Sequence, residues 1–124
     1  MNQIILIAAG GAIGAVMRYG LSNGVHSVLG RDFPYGTLTV NVLGSLLIGF
    51  FYITFLEKAL LGPEWRAFII VGILGAFTTF STFSLETFNL IESGEITRAI
   101  LNMVISVSVC LMAAWSGILI ARML

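Results

Sequence analysis

Residues 72–86 read G-I-L-G-A-F-T-T-F-S-T-F-S-L-E, inside an apolar run that extends from Phe68 to Ile91. Five of the seven residues from Thr78 to Ser84 carry hydroxyls, and the other two are Phe80 and Phe83. A helix that only had to sit in lipid would place Leu, Ile and Val there. Ser and Thr side chains can instead satisfy backbone groups released where a membrane helix breaks. Irregular backbone at that depth is tolerated only where protein buries it or a cavity hydrates it. The stretch therefore predicts a helix interrupted in mid-membrane, with a polar pathway or ion site around the interruption.

The rest of the chain agrees with a membrane setting. Of its 124 residues, 58% are hydrophobic and only 10% charged, with a mean hydropathy of +1.03. Soluble domains carry roughly 25% charged residues, so the composition specifies an all-α integral membrane protein. Four spans, each near the roughly 20 residues a bilayer needs, are expected at about 4–21, 38–56, 68–91 and 96–120. Charges gather in the connections: Glu57, Lys58, Glu64 and Arg66 fall together, as do Glu92, Glu95 and Arg98. Pro34 and Pro63 suit helix starts, and Gly94 suits a helix end. No repeat or linker divides the chain, so residues 1–124 read as one four-helix domain. No basic stretch precedes the first apolar run, so no cleaved leader is expected. A net charge of zero without a basic run gives no footing for nucleic acid. Cys110 is the one cysteine, cannot form an intrachain disulfide, and reads as a small buried side chain.

Basic residues near span ends set membrane orientation. Lys58, Arg66 and Arg122 fall on one side of this layout, and Arg18, Arg31 and Arg98 on the other. Three against three sets no preference, which predicts insertion both ways round. An antiparallel homodimer with an isologous interface then becomes possible. Four helices alone also enclose little room for a pathway, which favours a dimer on size.

Within the spans, Gly10 and Gly14 form a small-residue face for close helix packing. Arg18 either snorkels to the interface or supplies a cation to an anion-attracting vestibule. Thr37, Asn41, Ser45 and Gly49 share one face of the second span, where the Asn41 amide must face protein or water. It serves either to join helices or to donate to an anion along a pathway. Asn102, Ser106 and Cys110 repeat the spacing in the fourth span, followed by Ala113 and Gly117. Phe77, Phe80 and Phe83 recur every third residue, which suits a packing ridge, yet their electropositive ring edges can also face a small anion. Ser81 and Ser84 can donate to the same ion. Gly72 and Gly75 reduce bulk ahead of the hydroxyl cluster, and carbonyls freed at a helix break are ligands for a hard cation. Glu86 is the one acid within an apolar span and either reaches the interface or pairs with Arg18. His26 stands alone in what reads as a polar connection, so neither a metal site nor a Ser–His pair is expected, and no phosphate loop is present. An enzyme is not expected.

G-A-F-T-T-F-S-T-F-S at 75–84, Gly14-x-x-x-Arg18 and the Asn41-bearing second span together resemble the Fluc (CrcB) fluoride channel family over essentially the whole chain. The resemblance implies a dual-topology antiparallel homodimer in the cell (inner) membrane, passing fluoride passively through two pores and relieving fluoride toxicity. It implies a structural sodium ion held at the dimer centre by the backbone carbonyls of Gly75 and Thr78. It implies that Phe80 and Phe83 are pore phenylalanines, that Asn41 is the pore amide, and that Ser81 and Ser84 belong to a hydroxyl-lined stretch. Ser106 joins the polar track under a looser alignment, with Cys110 where a hydroxyl might be expected. The rival from the residues alone is a small dual-topology proton-coupled drug or cation antiporter, which would need a deep carboxylate; Glu86 is off-centre for that role. A non-transporting scaffold is a third reading, for which the hydroxyl cluster has no use.

Overall fold

A computed structural model describes residues 2–59 and 61–124. Its elements are α1 (Asn2–Leu29), α2 (Tyr35–Tyr52), a π-helical continuation π1 (Ile53–Glu57), α3 (Pro63–Arg66), a second π-helical segment π2 (Ala67–Leu74), α4 (Gly75–Phe77), α5 (Phe80–Glu92) and α6 (Ile96–Met123). Among the described residues, four helical stretches are long and apolar enough to cross a membrane: Asn2–Leu29, Tyr35–Glu57, Pro63–Glu92 and Ile96–Met123. Pro63 opens α3, where its missing N–H costs no intrahelical bond. Gly94 takes a positive φ of 82° in the turn between α5 and α6, a conformation glycine adopts without steric cost.

Glycines decide how closely the helices approach. A Cβ on Gly10 would lie 2.5 Å from the Phe68 carbonyl oxygen, and one on Gly72 would lie 3.0 Å from the Gly10 Cα. Gly14 abuts the Ile73 backbone in the same crossing. The face expected at Gly10 and Gly14 is thus the seam between α1 and π2. A second seam joins α2 to α6, where Gly49 meets the Ala114 carbonyl and Gly117 the Leu46 carbonyl. Without a hydrophobic drive between helices in lipid, such backbone approach is a main source of packing energy. Gly117→Val is therefore expected to force α6 off α2 and destabilise the fold by about 1–3 kcal/mol, an overpacking cost. A fall in thermal stability in detergent, absent for Gly11→Val at a position with open space around it, checks this.

Between the seams lie Val40, Ile53, Leu74, Phe77 and Ala99, all buried. Glu57 and Arg122 pair at one end of the bundle, Arg122 Nη2 donating to Oε2 at 2.6 Å. At the other end Arg98 Nη1 donates to the Asp32 carbonyl at 3.4 Å, next to Arg31. Arg122 and Arg98 thus mark opposite ends of the bundle.

One sequence expectation is corrected. His26 is not in a polar connection: α1 runs eight residues past the expected end of the first span, at Leu29 instead of Leu21, and carries His26 as a helical residue only 7% exposed. Nothing between Leu21 and Leu29 breaks a helix, since the lone glycine there, Gly24, is tolerated at modest cost. At about 1.5 Å per residue, the 28-residue helix outruns the hydrocarbon layer, so its last turns can carry Ser22, Asn23 and His26.

Candidate functional site

The site forms where helical bonding stops at Phe77 and resumes at Phe80. Thr78 (φ −85°, ψ 155°) and Thr79 (φ −151°, ψ 117°) are extended between the two helices. Several of the backbone groups freed there have identifiable partners. Asn41 on α2 grips Thr79 from both sides: its Nδ2 donates to the Thr79 carbonyl at 3.0 Å, and its Oδ1 accepts from the Thr79 N–H at 2.8 Å. The Thr79 hydroxyl caps α5 by accepting from the Thr82 N–H at 3.1 Å, and also bonds the hydroxyls of Thr82 and Ser81. Such capping stabilises a helix start by about 1 kcal/mol. Arg18 Nε donates to the Ala76 carbonyl at 3.1 Å, placing a cation at the C-terminal end of the first half-helix. Arg18 thus faces inward.

Carbonyls are left over, those of Gly75 and Thr78 among them. In an unbroken helix Gly75 would accept from the Thr79 N–H and Thr78 from the Thr82 N–H. Both amides are spent elsewhere, on Asn41 Oδ1 and on the Thr79 hydroxyl. The oxygens of Gly75 and Thr78 are therefore released from the helical ladder, the donor chemistry that a hard cation requires. Two oxygens alone are too few to replace its water shell; a second copy of the chain would double them.

The polar cluster borders two cavities, with Thr79 in the wall of both. One, of about 420 Å³, is lined by Asn41, Ser45, Phe80, Phe83, Ser106 and Cys110 among others. Phe80 and Phe83 stand there with centroids 5.3 Å apart and rings inclined at 43°. Phe80 is 76% exposed, so it is no core residue of a single chain. Ser106 enters through a buried relay: its hydroxyl donates to Asn102 Oδ1 at 3.2 Å, Asn102 Nδ2 to the Thr87 hydroxyl at 2.8 Å, and Thr87 to the Phe83 carbonyl at 2.8 Å. That relay ties α6 to the helix turn that carries Phe83. The other cavity, about 180 Å³, holds Arg18, His26, Arg31 and Glu86.

Of the residues singled out in the sequence, Asn41, Thr78, Phe80, Phe83 and Ser106 meet in the larger cavity, and Arg18 with Glu86 in the smaller. Ser81 and Ser84 line neither; both are exposed, and Ser84 donates to the Phe80 carbonyl at 3.0 Å. The two ion pairs among the described residues do not include Glu86. Cys110 is half-buried on the larger cavity's wall. Sequence reading passed over the capping role of Thr79 and the relay role of Thr87. A Thr three residues ahead of Thr82, at a helix start, was the available signal for the first.

This arrangement has relatives. The profile of the family described as "CrcB-like protein, Camphor Resistance (CrcB)" matches residues 5–118. The chain belongs to the CrcB family. A relative from Magnetococcus marinus, named a fluoride-specific ion channel, is 51% identical over 122 residues, covering 98% of this chain and 99% of its own. One of the same name from Geobacter sulfurreducens is 50% identical over 124 residues, covering all of both chains. A third, from Methylococcus capsulatus, is 51% identical over 122 residues, of which this chain spans only 54% of the length. These CrcB relatives are named as channels and not as enzymes.

Proposed function

We propose that this protein is a passive fluoride channel that lets cytoplasmic fluoride leave the cell and so relieves its toxicity. The observation that carries the reading is the convergence of Asn41, Phe80, Phe83 and Ser106 on one cavity beside the interrupted helix, in a chain half identical to proteins named fluoride-specific channels. Fluoride is small and strongly hydrated, so a path must replace water with donors while holding the ion weakly enough to release it. Asn41 spends one amide hydrogen on Thr79 and has a second to give. The ring edges of Phe80 and Phe83 are electropositive and favour a small, charge-dense anion over larger chloride. Ser106 gives its hydrogen to Asn102 at rest and must turn to serve an ion, after which Asn102 can take it back. Ser81 and Ser84, exposed on α5, would meet the ion where a partner chain closes the path.

The same reading includes an antiparallel, dual-topology homodimer in the inner membrane with two pores, its interface covering Phe80 and the exposed α5 face. The interruption at Thr78 and Thr79 then sits in mid-membrane. A structural sodium ion fits between the subunits, held by the freed Gly75 and Thr78 carbonyls of each; it would pin the two interruptions together, leaving the fluoride path to the side chains. HF enters cells uncharged and dissociates at near-neutral pH. A negative interior then drives the anion out, with about 2.3 kcal/mol per charge per 100 mV, so no energy source is needed. The antiporter alternative is not favoured, because Glu86 lies outside the larger cavity. Expression in bacteria lacking fluoride export tests the proposal: growth should be restored in millimolar fluoride, and no restoration with the protein verified in the membrane would count against it.

A further inference from the structure

The cavity at Arg18 has a neighbour at the end of the bundle that carries Asp32 and Ser93. That neighbour is about 410 Å³, and His26, Arg31 and Glu86 line both. These three side chains stand in the wall common to both; the cavity at Arg18 is the inner chamber and its neighbour the outer one. The bonding within the shared wall is unusual. Arg31 Nη1 lies 3.0 Å from His26 Nδ1. A guanidinium only donates, so Nδ1 must accept, and the neutral ring carries its hydrogen on Nε2. Nε2 is buried without a hydrogen-bond partner among the described residues, and so is Glu86 Oε1.

We propose that His26 and Arg31 form a proton-operated latch on the vestibule, one that raises anion entry on acidification. Histidine is the side chain whose charge changes between pH 5 and 8. A second proton on the ring must go to Nδ1, the atom that now accepts from Arg31. Two donors then face each other, both cationic, and the bond cannot persist. The released Arg31 has the unpartnered Glu86 Oε1 as an acceptor within the same chambers. The other charges around His26 are Arg18 on its own helix, Asp32 beside Arg31, Glu86 on α5, and Arg98 of α6 through the Asp32 carbonyl. Helix α2 presents the uncharged Thr37 and Gly36, the latter packed against the ring. Protonation therefore adds one positive charge to the chambers, leaving the inner one more attractive to an anion. Focusing of this kind raises local ion concentration by about tenfold or more; across one shared wall, an increase of about three- to tenfold in current is expected.

The inference rests on the fluoride reading for its conduction arm only. The chain has a single histidine, so selective ¹⁵N labelling gives one unambiguous pair of ring nitrogens. At pH 8 the spectrum should show Nε2 protonated and Nδ1 bare, with Nδ1 losing its hydrogen-bond shift in Arg31→Gln. A ring protonated on Nδ1 instead would overturn the latch whether or not the protein conducts. In planar bilayers at fixed total fluoride, wild-type current should rise about three- to tenfold from pH 8 to pH 6, and His26→Gln should flatten the ratio to about one. HF crosses without carrying current. A flat wild-type ratio, or an unchanged ratio in His26→Gln, would overturn the coupling. Absence of current at both pH values with the expected tautomer would instead count against the fluoride reading.

Discussion

Isoleucine at both Phe80 and Phe83 is expected to lower fluoride efflux at least about 100-fold, the change produced by losing about 2.8 kcal/mol at the ion. The reason lies in geometry. The rings stand 5.3 Å apart on the cavity that Asn41 and Ser106 also line, and an isoleucine side chain offers no electropositive edge. Folding should survive, because Phe80 is 76% exposed within one chain and isoleucine keeps most of the apolar volume of Phe83. Efflux from liposomes, with size-exclusion elution compared in parallel, separates the effects. Wild-type efflux from a normally eluting double variant would remove the phenylalanines from the path.

Asn41→Leu should be damaging in a different way. The amide satisfies both backbone groups of Thr79, and leucine of similar volume satisfies neither. Each group stranded in a buried setting costs about 1–3 kcal/mol, so the variant should lose stability as well as conduction. Asn41→Asp provides the contrast. It can still accept from the Thr79 N–H, but it loses the donor to the Thr79 carbonyl and places an acid on the cavity proposed to carry the anion. It should be more stable than Asn41→Leu in a detergent melt and equally unable to conduct. Conduction close to wild type in Asn41→Asp would show that the residue only holds the backbone.

The sequence made the interruption legible because hydroxyls and phenylalanines replaced aliphatics at residues 78–84, and chemistry of that kind has few uses in lipid. The glycine seams were legible at Gly10 and Gly14 because small residues four apart form one helix face. The double grip of Asn41 on Thr79 was not: the pattern showed an amide needing partners but could not say that both would be backbone atoms 38 residues away. His26 was misplaced because Gly24, Ser27 and Gly30 suggest a polar loop, while helix packing against Gly36 carries α1 on to Leu29. Ser81 and Ser84 look equivalent in sequence to Thr79, yet only Thr79 sits where the chain is extended and can cap α5.

The central claim is that the cavity bounded by Asn41, Phe80, Phe83 and Ser106 passes fluoride and rejects chloride. Anion efflux from proteoliposomes tests it most directly, with potassium and valinomycin balancing charge and fluoride- and chloride-selective electrodes read in parallel. Rapid loss of fluoride with chloride retained is the predicted result. Equal loss of both ions, or no fluoride loss from folded protein, would contradict it.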